Sequence, residues 1–285
     1  MAASVLFDAP GPKTVARHRI YTILAGIALL GVLAFIVWRL SETGQLEYAK
    51  WEPFVTPQYV VALLVDGLLV TLQMAVSAIL LAVVFGLIFG VGKLSEHAWI
   101  RWPCWAVVEF FRAVPVLLLM ILVFYSYGIN AGETGAYWTV VLALMVYNGA
   151  VLAEVFRAGI LAVPRGQAEA AYAIGMRKTQ VMNVILLPQA VKIMLPAIIS
   201  QMVVALKDTS LGYAVAAPGL TAIGQQIYRQ FFNQVPTAIV LAAMYIAVNL
   251  LLTWLATWVQ KRLVGEKKKP LEVSMVGHLD DGTAV

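Results

Sequence analysis

Residues 59–91 read YVVALLVDGLLVTLQMAVSAILLAVVFGLIFGV, a run in which Asp66 is the only charged side chain. A helix that crosses a bilayer needs about 20 mostly apolar residues. This run is longer than that, so we expect a helix that is tilted or that extends beyond the hydrocarbon. The stretch therefore predicts an integral membrane protein built from α-helices.

Five further apolar runs flank this one, at 20–40, 113–129, 138–156, 184–206 and 237–259. The whole chain is 61% hydrophobic and 12% charged, whereas soluble domains average about 45–50% apolar and about 25% charged residues. The run at 20–40 has no small-residue cleavage site after it, which favours an uncleaved anchor over a signal peptide. The sequence predicts an all-α membrane protein with about six transmembrane helices.

The basic residues predict the orientation of these helices. With both termini in the cytoplasm, four of the 20 Lys and Arg residues lie outside, and these are Arg39, Lys50, Lys207 and Arg229. The other sixteen lie inside, as the positive-inside rule requires. We therefore expect both termini to be cytoplasmic and the segment 207–236, which stays fairly apolar, to be external with a short re-entrant helix.

Other features of the sequence exclude several kinds of site. Cys104 is the only cysteine, so no internal disulfide forms, and the three histidines have no metal-ligand spacing. The segment Gly90-Val91-Gly92-Lys93 lacks the first glycine and the final Ser/Thr of a phosphate loop, and we interpret Lys93 as an orienting anchor. The positive charges lie between apolar runs, which argues against nucleic-acid binding. We expect no metal, nucleotide or catalytic site in this chain.

The most specific pattern lies between the runs 138–156 and 184–206. Glu169-Ala170-Ala171 is followed after three intervening residues by Gly175, and after nine further intervening residues by Ile185-Leu186-Leu187-Pro188. The small alanines would allow a helix to approach a partner closely, Glu169 offers a charge, and Gly175 suits the turn that ends a helix. An ordinary connector helix with a glycine cap is the alternative.

This pattern resembles the EAA loop of permease subunits of ATP-binding-cassette importers. Two further segments, Glu109–Pro115 and Ala153–Ile160, are similar to the E-x-x-R-x-x-P and A-E-x-x-R-x-G-I motifs of the polar amino-acid permeases in that family. Gly166-Gln167 and Lys207–Leu211 also match. The resemblance covers about residues 68–262, and within the family it is nearest to permease subunits of glutamate uptake systems.

The resemblance implies a type I importer fold with a five-helix core and one added N-terminal helix. The corresponding division is a cytoplasmic segment at 1–19, the added helix and an external linker at 20–58, the permease core at 59–264, and a disordered cytoplasmic tail at 265–285. The coupling loop at about 161–180, with Gln167, Glu169, Ala170, Ala171 and Gly175, would dock on an ATPase subunit.

The resemblance also implies the partners. These are ATPase subunits that bind ATP and Mg²⁺, a second homologous or identical permease subunit, an external solute-binding protein, the lipid bilayer and an amino-acid substrate. Two other classes stay open: a standalone secondary transporter or channel, and a membrane enzyme. A secondary transporter would usually show internal repeats with broken helices, and a membrane enzyme would need a convergent catalytic set; the sequence shows neither.

Candidate substrate contacts follow the long apolar run that ends near residue 206. Asp208 could accept from an amino-acid ammonium, and Lys207, Thr209 and Ser210 could donate to its carboxylates. The alternative is a Lys207–Asp208 ion pair that ends the helix. A family likeness places this segment near the translocation path, which favours the substrate role.

Polar residues inside the apolar runs have two possible roles. Asn148 either lines the path or joins two helices by a hydrogen bond, and the sequence does not decide between these. For Thr71 and Gln73 we expect helix–helix hydrogen bonds. The i,i+3 pairs Glu109–Arg112 and Glu154–Arg157 predict structural ion pairs.

Overall fold

The structure, a computed structural model, describes residues 11–264, and within this range all regular secondary structure is helical. The predicted segment 1–19 lies partly, and the predicted tail 265–285 wholly, outside the described residues. The helices are α1 Pro12–Glu42, α2 Tyr48–Trp51, α3 Pro57–Val61, α4 Val70–Lys93, α5 Ala98–Ala113, α6 Val116–Ser126, α7 Gly132–Leu161, α8 Arg165–Ala173, α9 Lys178–Gln180, α10 Leu187–Asp208, α11 Leu220–Phe231 and α12 Gln234–Val264. Short 3₁₀ and π-helical segments join several of them, at Glu52–Phe54, Ala62–Leu69, Gly128–Ala131, Val181–Leu186 and Thr209–Val215.

Five helical stretches are long and apolar enough to cross a membrane, as the sequence predicts. They are Lys13–Glu42, Pro57–Lys93, Gly128–Leu161, Lys178–Val215 and Gln234–Arg262. The long second stretch has 37 residues, which agrees with the expectation that it exceeds the bilayer. The prediction of about six membrane helices is confirmed, with the sixth taking a different form.

The predicted span at 113–129 is not one straight helix. The chain bends by 102° between α5 and α6, at Val114 and Pro115. Val114 is extended because a residue before proline avoids the helical region, and its ψ is 127°. Since α6 has only 11 residues, it is about 16 Å long, short of the roughly 30 Å hydrocarbon core.

Close packing between α4 and α7 forms the centre of the bundle. A stripe of small residues at every fourth position of α4, Ala78, Ala82, Gly86 and Gly90, is buried. A Cβ at Gly90 would lie 2.7 Å from the carbonyl oxygen of Ala153 on α7. Small residues let helix backbones approach closely in a membrane, where packing replaces the hydrophobic effect as the driving force.

The N-terminal helix α1 stands apart from this bundle. None of the residues in its most apolar 18-residue window is buried, whereas 61% of the corresponding window of the Gly128–Leu161 stretch is. Most large apolar side chains of α1 are about half exposed or more, for example Leu30 at 67%. The separate character that the sequence assigns to this helix is therefore visible in the packing.

Candidate functional site

The predicted coupling loop contains a helix, α8, that ends at a glycine. Gly175 has a φ of +83°, in the left-handed region. Its N–H donates to the carbonyl of Tyr172 at 2.9 Å, and the N–H of Met176 donates to the carbonyl of Ala171 at 3.2 Å. These two bonds form a Schellman motif, so the prediction that Gly175 supplies the terminal turn is confirmed.

The two alanines of the loop differ in their exposure. Ala171 is buried at 5% exposure and packs towards its own chain, while Ala170, Glu169 and Gln167 are exposed. The apolar side chains of Tyr172 and Ile174 are also exposed, Ile174 at 79%. Only Ala170 of the alanine pair is therefore placed to allow the close approach of a partner, and Ala171 allows α8 to pack on its own bundle.

Two contacts stabilise the part of this loop that follows Gly175. The N–H of Arg177 donates to Oε1 of Gln180 at 2.8 Å, which caps α9. Lys178 forms an ion pair with Glu96 in the turn between α4 and α5. The hydrogen bond from the Lys178 ammonium lowers the pKa of the Glu96 carboxyl, so this link between two loops is charged at neutral pH.

The segment Lys207–Ser210 lies where α10 passes into a 3₁₀ turn. Among residues 11–264 the side chains of Lys207 and Asp208 form no ion pair, which argues against a simple helix-ending pair. Lys207 is exposed and Asp208 is half-buried. Thr209 is buried and donates to the carbonyl of Leu206 at 2.6 Å, so its hydroxyl hydrogen is already engaged.

Lys207 borders a groove of about 430 Å³ between α10 and α12. Tyr245, Asn249 and Thr253 of α12 line the opposite wall. Asn249 donates to the carbonyl of Tyr245 at 2.7 Å, but its Oδ1 is buried without a hydrogen-bond partner in the described part of the chain. Asn249 was not among the predicted site residues, although an amide inside an apolar run is the same signal that singled out Asn148.

Asn148 joins two helices in this structure. It is 1% exposed, donates to the carbonyl of Leu144 at 3.0 Å, and accepts from Nε2 of Gln201 on α10 at 2.6 Å. Of the two roles left open, the geometry favours the interhelical bond over the lining of a path. The prediction for Thr71 is confirmed as well, since its Oγ1 accepts from the backbone N–H of Leu220 at the start of α11 at 2.8 Å.

Five charged residues form a network between α4, α5 and α7. The predicted pairs Glu109–Arg112 and Glu154–Arg157 are both present, at 3.2 and 3.0 Å. The ammonium of Lys93 joins them, because it contacts both Glu154 and Glu109, the latter at 3.2 Å. The side chain of Lys93 is only 5% exposed, so it connects three helices, a role that the sequence did not predict beside its interpretation as an orienting anchor.

The core of the chain matches a known protein family. Residues 82–265 match the family described as the binding-protein-dependent transport system inner membrane component. The chain belongs to this family. The matched region contains α8, the charged network and the Lys207–Ser210 segment, and it leaves out α1, as the sequence resemblance does.

Several members of this transport family are similar to the chain over most of their length. The chain is 41% identical over 247 residues to the glutamate transport system permease protein of Corynebacterium glutamicum, covering 85% of this chain and 90% of the relative. It is 36% identical over 197 residues to the probable glutamine ABC transporter permease protein of Bacillus subtilis, covering 66% and 88%. The prediction of a permease of the ATP-binding-cassette importer family is confirmed.

A solved amino acid ABC transporter contains a chain with the same fold. The crystal structure of an amino acid ABC transporter with histidines has a chain that superposes with a TM-score of 0.67 at 28% identity, covering 73% of this chain and 98% of that one. The predicted all-α fold of type I importer permeases is therefore confirmed for the core helices, while the orientation of the termini stays a prediction.

Proposed function

We propose that this chain is the permease subunit of an ATP-driven importer for polar amino acids, with glutamate as the favoured substrate. The similarity to a glutamate transport permease over 85% of the chain supports the substrate. The observation that carries the mechanism is α8, which presents exposed Gln167, Glu169 and Ala170 beyond the end of α7 and turns back at Gly175.

Energy in this proposal comes from partner subunits. A separate ATPase subunit that binds ATP and Mg²⁺ closes and pushes on α8. The displacement passes to α7 and α10, the two helices on either side of the loop, and these share the buried Asn148–Gln201 bond. An external binding protein delivers the amino acid, and a second homologous or identical permease subunit completes the pathway through the cytoplasmic membrane.

The substrate contacts in this proposal lie at the end of α10. Lys207 borders the groove between α10 and α12 and is free of Asp208, so its ammonium is placed to bind a carboxylate. Asp208 and the unpaired Oδ1 of Asn249 are acceptors suited to an ammonium. Ser210 remains a candidate donor, whereas Thr209 would first have to release the Leu206 carbonyl.

The direct test is reconstitution of the chain in proteoliposomes with its candidate ATPase subunit and binding protein. We expect glutamate-loaded binding protein to stimulate ATP hydrolysis and uptake together, and glutamine or aspartate to do so less. Omission of the ATPase subunit is the control. Uptake that needs only an ion gradient and this chain would contradict the proposal and favour a standalone secondary transporter.

A further inference from the structure

A charged cavity of about 540 Å³ lies between α4, α5 and α7, away from the groove beside Lys207. Its size is within the range of about 300–1,000 Å³ that is usual for small-molecule sites. The residues that line it combine cations, carboxylates and tryptophans. They are Lys93, Arg101, Trp102, Trp105, Glu109, Glu154 and Arg157.

The wall contributed by α5 repeats with the period of the helix. Arg101, Trp105 and Glu109 are spaced four residues apart and therefore lie on one face. The rings of Trp102 and Trp105 pack edge to face, with their centroids 5.9 Å apart. The two residues are nevertheless 62% and 48% exposed. Exposed tryptophans of a membrane protein are typical of the membrane–water interface.

The depth of the cavity agrees with such an interface. Lys93 is the last residue of α4, and the chain turns there into α5. The positive-inside distribution puts this turn at the cytoplasmic surface. A cavity that opens at this level meets the headgroups of the inner leaflet, which carries the anionic lipids.

The charges of the cavity leave a cationic surplus with unused donors. Three cations face two carboxylates, and the Lys93 ammonium is held by both of these carboxylates. Within the described residues Arg101 makes one bond, to the carbonyl of Ser95 at 3.3 Å, and Arg157 one, from Nε to Glu154 at 3.0 Å. Because a guanidinium has five N–H donors, both arginines retain donors that fit phosphate oxygens.

We propose that this cavity binds the phosphate headgroup of an anionic glycerophospholipid. Arg101 and Arg157 bind the phosphate, and the rings of Trp102 and Trp105 pack against the glycerol and the first carbons of the acyl chains. Lys93 stays in its ion pairs and supports the positive potential. Basic pockets between membrane helices are known to bind such headgroups, and the tryptophans favour a lipid over free phosphate.

Native mass spectrometry of the full chain in detergent tests this assignment, with phosphatidylglycerol, phosphatidylcholine and inorganic phosphate as separate probes. We expect wild type to retain one phosphatidylglycerol in preference to phosphatidylcholine. The loss of one charge-assisted contact in Arg101→Ala should weaken that retention by about tenfold. Arg39→Ala is the matched control, since Arg39 is an exposed arginine that pairs with Glu42, and it should retain the lipid.

A second variant guards against an effect of misfolding. Trp105→Ala removes a half-exposed ring and should weaken lipid retention without changing the melting temperature in lipid-free detergent. Equal retention by wild type, Arg101→Ala and Trp105→Ala would overturn the proposal. Binding of inorganic phosphate that depends on Arg101, with no competition from phosphatidylglycerol, would also overturn it by identifying a phosphate site that is not a lipid site.

Discussion

At the scale of single residues, polar side chains inside the bundle connect particular pairs of helices. Asn148 on α7 and Gln201 on α10 are joined at 2.6 Å inside an otherwise apolar region. A hydrogen bond between membrane helices contributes about 0.6 kcal/mol on average and up to about 1.7 kcal/mol. These values are modest, but they are significant because the other interactions between α7 and α10 are mainly van der Waals contacts.

We predict that Asn148→Ala and Gln201→Ala are not additive. A double-mutant cycle, measured by thermal or denaturant unfolding in detergent, should give a coupling free energy of about 0.5–1.5 kcal/mol. The cycle contains its own control, since each single variant reports the loss of packing at one position. Strict additivity would show that the two amides do not interact in the folded chain.

The proposed contact of Asp208 with the substrate ammonium can be tested by measuring uptake. If Asp208 binds the substrate ammonium in a partly dry path, Asp208→Asn should reduce uptake by well over tenfold, because leaving a charge unpaired costs about 2–5 kcal/mol. Basal ATP hydrolysis of the assembled complex should persist, since α8 is untouched.

The matched control for this change is Asp66→Asn. Asp66 is an exposed aspartate in another apolar stretch, and its neutralisation should leave uptake close to wild type. If Asp208→Asn also transports within about twofold of wild type, Asp208 does not bind the substrate and the segment Lys207–Ser210 only ends a helix.

At the scale of secondary-structure elements, α8 depends on the backbone conformation of one glycine. A left-handed conformation at a residue with a Cβ costs roughly 1–2 kcal/mol. We predict that Gly175→Ala lowers ATP-driven uptake and the amount of ATPase subunit that co-purifies with the chain. A Cβ at Gly175 would meet no atom within 4 Å, so the effect would come from backbone strain and not from a clash.

Gly166→Ala provides the comparison for this experiment. Gly166 also lies in α8 with open space around its Cβ position, but its φ is not positive. Alanine there should be neutral or slightly stabilising, because it favours a helix by about 1 kcal/mol over glycine. Equal behaviour of the two variants would show that the Gly175 turn is not needed for coupling.

The helices themselves could be predicted from the sequence, but several of their contacts could not. Apolar runs marked the long helices because each must satisfy its own backbone hydrogen bonds in lipid. The predicted span at 113–129 began close to the break at Val114 and Pro115, but the 102° angle between α5 and α6 was not predicted, although proline at 115 was a local signal. The four-residue spacing of Ala78, Ala82, Gly86 and Gly90 is a local signal for a packing face on α4, but it does not identify α7 as the partner.

The site was predictable to a similar extent. The spacing of the 169–188 motif specified α8 and its glycine turn, since both depend on local sequence. The i,i+3 ion pairs were predictable for the same reason. The ion pairs of Lys93 were not predictable, because they join residues 16 and 61 positions apart, and no local pattern indicates such contacts.

At the scale of the whole molecule, the distribution of charge predicts which side of the membrane each loop faces. On a Cys104→Ser background, a cysteine at Thr179, which is exposed beside α8, should resist an impermeant thiol reagent applied to intact cells. A cysteine at Tyr48, which is 73% exposed in the segment after α1, should react. The reverse pattern would show that the chain is inserted with the opposite orientation.

The isolation of α1 has a consequence for how this protein can vary among related organisms. Substitutions in a packed helix are constrained by the neighbours that each side chain must fit. In α1 no residue of the apolar window is buried. Contacts with the rest of the chain therefore do not constrain its sequence, and only its length and hydrophobicity do. We expect its sequence to drift several times faster than that of α7, with one apolar residue replacing another freely while the number of residues between its charged ends is maintained.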